Sequence, residues 1–242
     1  MKGLYHQNRL KIWSLLIAVT CVATSSVSLN AEVLNWKFKV YLDKKAVGEH
    51  DYQITTENGL TQVETTASFD VKILFINAFR YRHSNTEVWD DNGMVSIDAL
   101  TKQNGKEFVV RGKRENGVFI VSDGEEEQEL PENLKSFGYW NPAILNEGQL
   151  LNSQTADFEP VEIVELGSDR VDYQGQSLAA RKYEIRLPKA AITVWYGAEC
   201  SRWLALESPA KGGRVIRYEP LELPNSVEFS LENLERMVHS DT

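Results

Sequence analysis

The sequence predicts an all-β protein with a minor α content, built as a strongly curved antiparallel meander that forms an open barrel or half-barrel. Apolar and polar residues alternate with a period of two along most of the chain, as in half-buried strands. Hairpin turn signals recur at strand-length intervals, and no helix of useful length fits between them. About ten consecutive strands must hide one apolar face, and consecutive hairpins favour a curled sheet over a sandwich.

The alternation is clearest in the first predicted strand. Its apolar residues share one face: Trp36, Phe38, Val40 and Leu42. Lysines occupy the opposite face, which is typical of an antiparallel strand with one solvated side. Residues 43–45 turn the chain, and the next strand alternates again through His50, Tyr52 and Ile54.

Asn-Gly and Asp-Gly pairs divide the first half of the chain into strands. They occur at Asn58-Gly59, Asn92-Gly93, Asn104-Gly105, Asn116-Gly117 and Asp123-Gly124. Asn-Gly readily adopts the positive φ angles that a type I′ turn requires. These pairs therefore predict hairpin connections between successive strands.

Residues 139–158, "YWNPAILNEGQLLNSQTADF", differ from the strands on either side. Asn141 is a good helix N-cap, and proline is favourable at the position after it. Apolar pairs at 144–145 and 150–151 then form one side over about two turns. We predict a short helical crossover near 141–152 that closes one mouth of the curled sheet, with Trp140, Asn141 and Asn152 in the lid of any cavity.

The β pattern resumes at residue 161 and continues to residue 218. Ser230 is then a suitable N-cap before Leu231, Leu234 and Met237, which have helical spacing. We predict a single β-rich domain over residues 32–220, followed by a tail over 221–242 that carries a short C-terminal helix.

The first 31 residues predict a cleaved secretory signal peptide. Lys2, Arg9 and Lys11 precede an apolar run over 12–22 that is too short to span a bilayer. A cleavage site follows at Ala31, so we expect a periplasmic protein with no transmembrane segment in the mature chain. Acylation at Cys21, as in a lipoprotein, is the alternative, although Thr20 stands where a lipobox has Gly or Ala.

The charge of the mature chain argues against two classes of partner. Removing residues 1–31 leaves 23 Lys and Arg against 35 Asp and Glu, a formal charge of −12. Nucleic acids and anionic membrane surfaces both require a basic face. Cys200 is the one cysteine that remains, which excludes an internal disulfide and a thiolate zinc site.

The run Phe69–Trp89, "FDVKILFINAFRYRHSNTEVW", contains the main candidate site residues. If it is extended, alternate positions bring four of them to one face: Tyr81, His83, Glu87 and Trp89. A buried His83–Glu87 pair would raise the pKa of the imidazole or provide a general base. The run is too long for one strand, so we expect a break near residues 76–78.

Three further side chains are candidates for binding. Arg80 and Arg82 lie on the opposite face of the same run, where they would bind a carboxylate or phosphate or else pair with acidic neighbours. Trp195 belongs to a group of aromatic residues in the second half that would line an apolar cavity or simply fill the core. Standard catalytic, phosphate-binding and dinucleotide-binding motifs are absent, so we predict no catalytic residue, metal or cofactor.

Several segments together resemble a known family. These are "FRYRH", "EVW", "TKQNGK", "YWNPAILNEGQLLNSQT", "VWYG" and "RWLALESPAKGGRVIRY", in this order. The chain resembles the exported proteobacterial proteins of domain of unknown function 6134 over about residues 36–218. A looser similarity to domain of unknown function 3108 rests on Val47-Gly48-Glu49. The resemblance implies a periplasmic β-rich protein and carries no activity or catalytic residue.

Three functional hypotheses follow. The first is a non-catalytic binding or carrier module for an apolar or amphipathic, lipid-like ligand, with an apolar cavity of the order of several hundred Å³. The second is an envelope interaction or assembly protein that binds a partner protein through a sheet edge or loop. The third is an enzyme that uses His83 and Glu87, with Arg80 or Arg82 binding an anion. Export and the absence of catalytic motifs favour the first.

Overall fold

The computed structural model describes residues 32–73 and 76–225. The predicted signal peptide, residues 1–31, lies outside this part of the chain, as does the helix predicted from Ser230 onward. The described residues are almost entirely strands, which confirms the all-β prediction.

Hairpins connect the first eight strands. These are β1 (Glu32–Leu42), β2 (Lys45–Glu57), β3 (Leu60–Ile73), β4 (Ile76–Asp90), β5 (Gly93–Gln103), β6 (Lys106–Glu115), β7 (Val118–Ser122) and β8 (Glu127–Pro131). At the predicted turns, Asn58, Asn104 and Asn116 adopt φ angles of 53°, 52° and 52°. The glycine after each also has a positive φ, as type I′ turns require.

The second half begins with two short strands and continues with five longer ones. They are β9 (Gln149–Leu151), β10 (Phe158–Pro160), β11 (Glu162–Tyr173), β12 (Gln176–Leu187), β13 (Ala190–Gly197), β14 (Trp203–Ala210) and β15 (Arg214–Glu222). β15 thus includes the first two residues of the predicted tail.

Thirteen of the described strands form one open, curved antiparallel sheet. Its order is β11-β12-β13-β14-β15-β1-β2-β3-β4-β5-β6-β7-β8, so β1 lies between the two halves of the chain. β1 pairs with β2 on one side and with β15 on the other. The sheet does not close, and its edges are β8 and β11. The predicted open half-barrel is therefore confirmed, with more strands than expected.

One face of this sheet forms the core. In β1 the buried residues are Leu34, Trp36, Phe38, Val40 and Leu42, the alternate positions that the sequence predicts. The Phe38 ring lies 4.1 Å from the Trp203 ring, measured between centroids, so β1 packs directly against β14 residues of the other half. The Trp36 indole also donates to the Trp203 carbonyl at 3.1 Å.

Residues 132–161, the crossover segment, connect β8 at one edge of the sheet to β11 at the other. Instead of covering only a mouth, this segment packs against the buried face. Ile144, Leu150 and Leu151 in it are at most 1 % exposed. The Tyr196 hydroxyl donates to the Tyr139 carbonyl at 2.9 Å, which ties the segment to β13.

The predicted helix over 141–152 is correct only in its first half. A 3₁₀ helix spans Pro142–Asn146, and Asn141 caps it by accepting from the Ala143 N–H at 3.0 Å. β9 then pairs with β10. Because Leu150 and Leu151 are both buried, the second apolar pair belongs to a strand enclosed on both sides, not to one face of a helix.

The predicted break near residues 76–78 falls slightly earlier. β3 ends at Ile73 and β4 begins at Ile76, and the two strands pair along their length. The run 69–89 is therefore a hairpin with a register shift next to Val71. From Tyr81 to Trp89 the side chains alternate between the two faces of the sheet as the sequence predicts.

Candidate binding pocket

A pocket of about 180 Å³ lies between the sheet and the crossover segment. The sheet contributes His50, Tyr52, Thr65, Tyr81, His83, Asn85, Glu87 and Tyr218. The crossover segment contributes residues 137–140 and 152–154. Among these described lining residues, Phe137 is the only one whose side chain is purely hydrocarbon.

Strand register brings the sheet residues together. Ala67 on β3 is paired with His50 on one side and with His83 on the other. Alternate residues of β4 point to one face of the sheet, so His83, Asn85 and Glu87 all line the pocket. The small side chain of Ala67 leaves space between the two imidazoles.

Glu87 is a buried carboxyl group, with 2 % of its surface exposed. The Asn85 amide donates to one of its oxygens at 3.0 Å, and the Trp89 indole donates to the other at 3.1 Å. Burial raises the pKa of this carboxyl above its usual range, although these hydrogen bonds act in the opposite direction.

The two imidazoles are neutral at physiological pH. Burial lowers the pKa of His50 to about 3, and the nearby His83 contributes in the same direction. Burial lowers the pKa of His83 to about 4. His50 Nδ1 lies 3.2 Å from the Tyr218 hydroxyl, and His83 Nδ1 lies 2.8 Å from the Thr101 hydroxyl.

His83 and Glu87 line the same pocket but have different partners. His83 bonds to Thr101, whereas Glu87 bonds to Asn85 and Trp89. The expected effect of a His–Glu pair, a raised imidazole pKa, is therefore not found, because desolvation dominates.

Three buried polar atoms at this pocket have no hydrogen-bond partner in the protein: His50 Nε2, Asn85 Oδ1 and Trp140 Nε1. Their residues are 8 %, 7 % and 5 % exposed. Buried polar groups in native proteins are nearly always satisfied by protein, water or ligand. The pocket wall therefore offers unused hydrogen-bonding capacity to an occupant.

The crossover segment is held at the pocket by amide side chains. The Tyr81 hydroxyl donates to the Gln154 side-chain oxygen at 3.1 Å, and the Gln154 amide donates to Gln103 at 3.1 Å. Asn152 lines the pocket and donates to Glu159 at 2.7 Å. Burial raises the pKa of Tyr81 to about 12, so its hydroxyl stays protonated.

The remaining candidate residues lie around the pocket or away from it. Trp89 contacts the wall residue Trp140, with ring centroids 6.0 Å apart, and Asn141 serves as the helix cap. Trp195 lines a separate cavity of about 350 Å³, where its indole donates to Asp169 at 2.9 Å. All three of these residues therefore have structural roles.

Arg80 and Arg82 lie on the opposite face of β4 from His83. Both pair with Asp70, at 3.3 Å for Arg80 and 2.5 Å for Arg82. The Arg82 guanidinium lowers the pKa of Asp70 below its usual range, with a further contribution from Arg80, although burial acts in the opposite direction. The structure thus places the two arginines in cross-strand ion pairs.

Sequence reasoning did not select His50, Asn85, Gln154 or Tyr218 as site residues, although all four line the pocket. Asn85 had a usable signal, since it shares the face of His83 and Glu87. His50 and Tyr218 are 168 positions apart in the chain, so only the strand order brings them together.

A family model described as Domain of unknown function (DUF6134) matches residues 38–221. The chain belongs to this family. A comparison with curated proteins found no match. The matched span contains every residue that lines the pocket, so the pocket is formed within the family domain.

Three further findings concern the described residues of this family member. No helix in the described part is long and apolar enough to cross a membrane. Within residues 32–73 and 76–225, no group of three or more His, Cys, Asp or Glu side chains is arranged to hold a metal ion. Cys200 is a free, partly exposed thiol.

The buried imidazole of His50 predicts acid sensitivity. Its folded-state pKa of about 3 lies below the unfolded value of about 6.5, so the unfolded chain binds more protons between these values. Stability should therefore fall by about 2 kcal/mol from this group as pH drops from about 7 to about 5. Urea unfolding at the two pH values measures the loss.

The control for this prediction is His50→Gln, which removes the titrating group. Glu87 changes stability in the opposite direction, because its raised pKa makes the folded state bind protons more readily as pH falls. This group is present in both the wild type and the variant, so its contribution cancels in the comparison. The variant should lose less stability than the wild type over the same pH interval. An equal loss in both proteins would contradict the assignment to His50.

Proposed function

We propose that this protein is an exported, non-catalytic binding module that holds a small amphipathic molecule in the pocket between β2–β4 and the crossover segment. One observation carries the proposal: three buried polar atoms at the pocket, on His50, Asn85 and Trp140, lack partners in the protein. Aromatic rings with polar groups between them suit a ligand that has both apolar and hydrogen-bonding parts. The tripartite pattern of residues 1–31 supports export.

The volume of the pocket limits the size of the ligand that it can enclose. Pockets for drug-sized molecules measure roughly 300–1,000 Å³, whereas this one measures about 180 Å³. It is nevertheless large enough to hold several water molecules. We therefore propose that the ligand is a small molecule or the polar end of a lipid-like one. The pocket is too small to enclose a whole lipid in the way that a large apolar cavity would.

The sheet edges give less support to a function through strand addition. The edge strand β8 carries Glu127 and Glu129 and ends at Pro131. At the other edge, β11 contains a register irregularity near Gly167 and exposes charged residues such as Glu162 and Glu165. Charge, proline and bulges are the usual devices that prevent edge-to-edge pairing.

Native mass spectrometry of the protein purified from its own cells, without denaturation, tests the proposal. A bound molecule should appear as a mass increment that disappears after unfolding, and extraction of the same sample should release it for identification. If gentle conditions return only the unliganded mass, the binding function fails.

A pair of variants locates the ligand. Ser153→Trp places a large ring at a residue that lines the pocket and should remove the mass increment. Thr155→Trp, in the same turn but at a residue that does not line the pocket, should keep it. Loss of the ligand in both variants, or in neither, would place the ligand elsewhere.

A further inference from the structure

The charge of the pocket wall indicates which ligands it can hold. No Lys or Arg lines the pocket, and the two imidazoles are neutral at physiological pH because of their lowered pKa values. Glu87 is therefore the only wall residue among those described that can carry a charge near neutral pH, and that charge is negative. An anionic ligand would find no positive partner there.

Glu87 has hydrogen bonds but no cation. Its donors, Asn85 and Trp89, are neutral, and no Lys or Arg in the described residues forms an ion pair with it. Lys135 does lie near Trp89, with its ammonium 5.9 Å from the ring centroid, but Lys135 does not line the pocket. A buried carboxylate without a cationic partner is unfavourable, so a positively charged ligand would relieve it.

The aromatic walls favour the same charge. The tyrosine and tryptophan residues that line the pocket are Tyr52, Tyr81, Tyr139, Trp140 and Tyr218. The face of an aromatic ring is electronegative and attracts ammonium groups, and this attraction is strongest where water is excluded. Aromatic rings combined with one carboxylate form a suitable environment for an organic ammonium ion.

The unpartnered atoms point to a second feature of the ligand. Asn85 Oδ1 accepts hydrogen bonds, whereas the Trp140 Nε1–H donates one, and neither has a partner in the protein. A hydroxyl group can serve either atom. A hydroxyalkyl ammonium compound would also fit the limited volume of about 180 Å³.

We infer that the pocket takes a small organic cation, an ammonium group on a short hydroxyalkyl chain, with Glu87 as its counter-ion and the tyrosine and tryptophan rings as its walls. This inference rests on the proposed binding function and adds the chemical class of the ligand. The same ammonium group also occurs in phospholipid headgroups, where its oxygen is esterified to phosphate and carries no hydroxyl hydrogen, and the experiment separates these two sources.

Isothermal titration calorimetry at about pH 7.5 with choline, and with its neutral isostere 3,3-dimethylbutan-1-ol, tests the charge. Choline should bind saturably, and the isostere should bind at least about tenfold more weakly because it lacks only the charge. Dihexanoylphosphatidylcholine below its micelle concentration is the third probe. Tighter binding of this lipid than of choline supports a headgroup, and equal or weaker binding supports the free cation.

Two variants examine the role of Glu87. Glu87→Gln should weaken choline binding at least about tenfold and leave the isostere unchanged. Glu64→Gln removes a charge from an exposed β3 residue outside the pocket and should change neither. If Glu87→Gln fails to fold, the comparison of choline with its isostere on the wild type decides the matter.

The inference is overturned if choline does not bind, if the isostere binds as tightly as choline, or if a folded Glu87→Gln variant binds choline normally. Binding of the isostere alone would leave the proposed binding function intact and reject only the cation. Failure of all probes would reject the cation, while native mass spectrometry of the purified protein decides the binding function separately.

Discussion

Trp203→Ala should destabilise the protein by about 3–5 kcal/mol. Trp203 is fully buried, and its ring lies 4.1 Å from Phe38 and 5.4 Å from both Tyr52 and Tyr139, measured between centroids. It therefore contacts β1, β2 and the crossover segment at once. Its removal also leaves the Ala205 carbonyl without the indole donor at 2.9 Å.

The free energy of unfolding in urea, monitored by far-UV circular dichroism, measures this effect. Leu166→Ala is the control, because Leu166 is 47 % exposed and its truncation should change stability by no more than about 0.5 kcal/mol. A loss below about 1 kcal/mol for Trp203→Ala would mean that the aromatic contacts do not hold the two halves of the sheet together.

Gly48→Ala should destabilise the protein by about 2–3 kcal/mol, even though it adds a single methyl group. A Cβ at this position would lie 1.8 Å from the Ser68 carbonyl oxygen and 2.8 Å from a ring carbon of Phe69. The β2 and β3 backbones would have to separate. Phe69 stacks on the pocket residue Tyr81 with centroids 5.3 Å apart, so ligand binding should weaken as well.

Gly148→Ala provides the matched control for Gly48→Ala. No atom would lie within 4 Å of the added Cβ, and Gly148 lacks a positive φ angle. Thermal unfolding should show a clearly lowered midpoint for Gly48→Ala and a nearly unchanged one for Gly148→Ala. Equal midpoints would imply that β2 can shift away from β3 without loss of packing.

Local patterns were sufficient for most individual elements. The alternation in β1 identified the buried face, and Asn58-Gly59 marked a hairpin that the φ angles confirm. Asn141 was correctly identified as a cap, because capping depends on residues two or three positions away. The pair Leu150-Leu151 was assigned wrongly to a helix, since two adjacent buried residues fit a helix or an enclosed strand equally well.

Local alternation along one strand also predicted part of the candidate site. Tyr81, His83 and Glu87 lie on one strand, so their common face follows from the period of two. Their hydrogen-bond partners did not follow. Thr101 comes from β5, and the pairing of β4 with β5 selects it as the partner of His83.

The sequence by itself determined the all-β class, the hairpin turns, the capped helical turn and the buried face of the strands, because each depends on neighbours a few residues away. The tertiary structure alone decided that β1 joins β15, that the crossover segment packs against the core face, and that His50 meets Tyr218 across 168 positions. Backbone hydrogen bonds between strands do not depend on the residue type, so they do not select which strands become neighbours. Strand order is therefore set by the burial of the whole apolar face, which no local segment specifies.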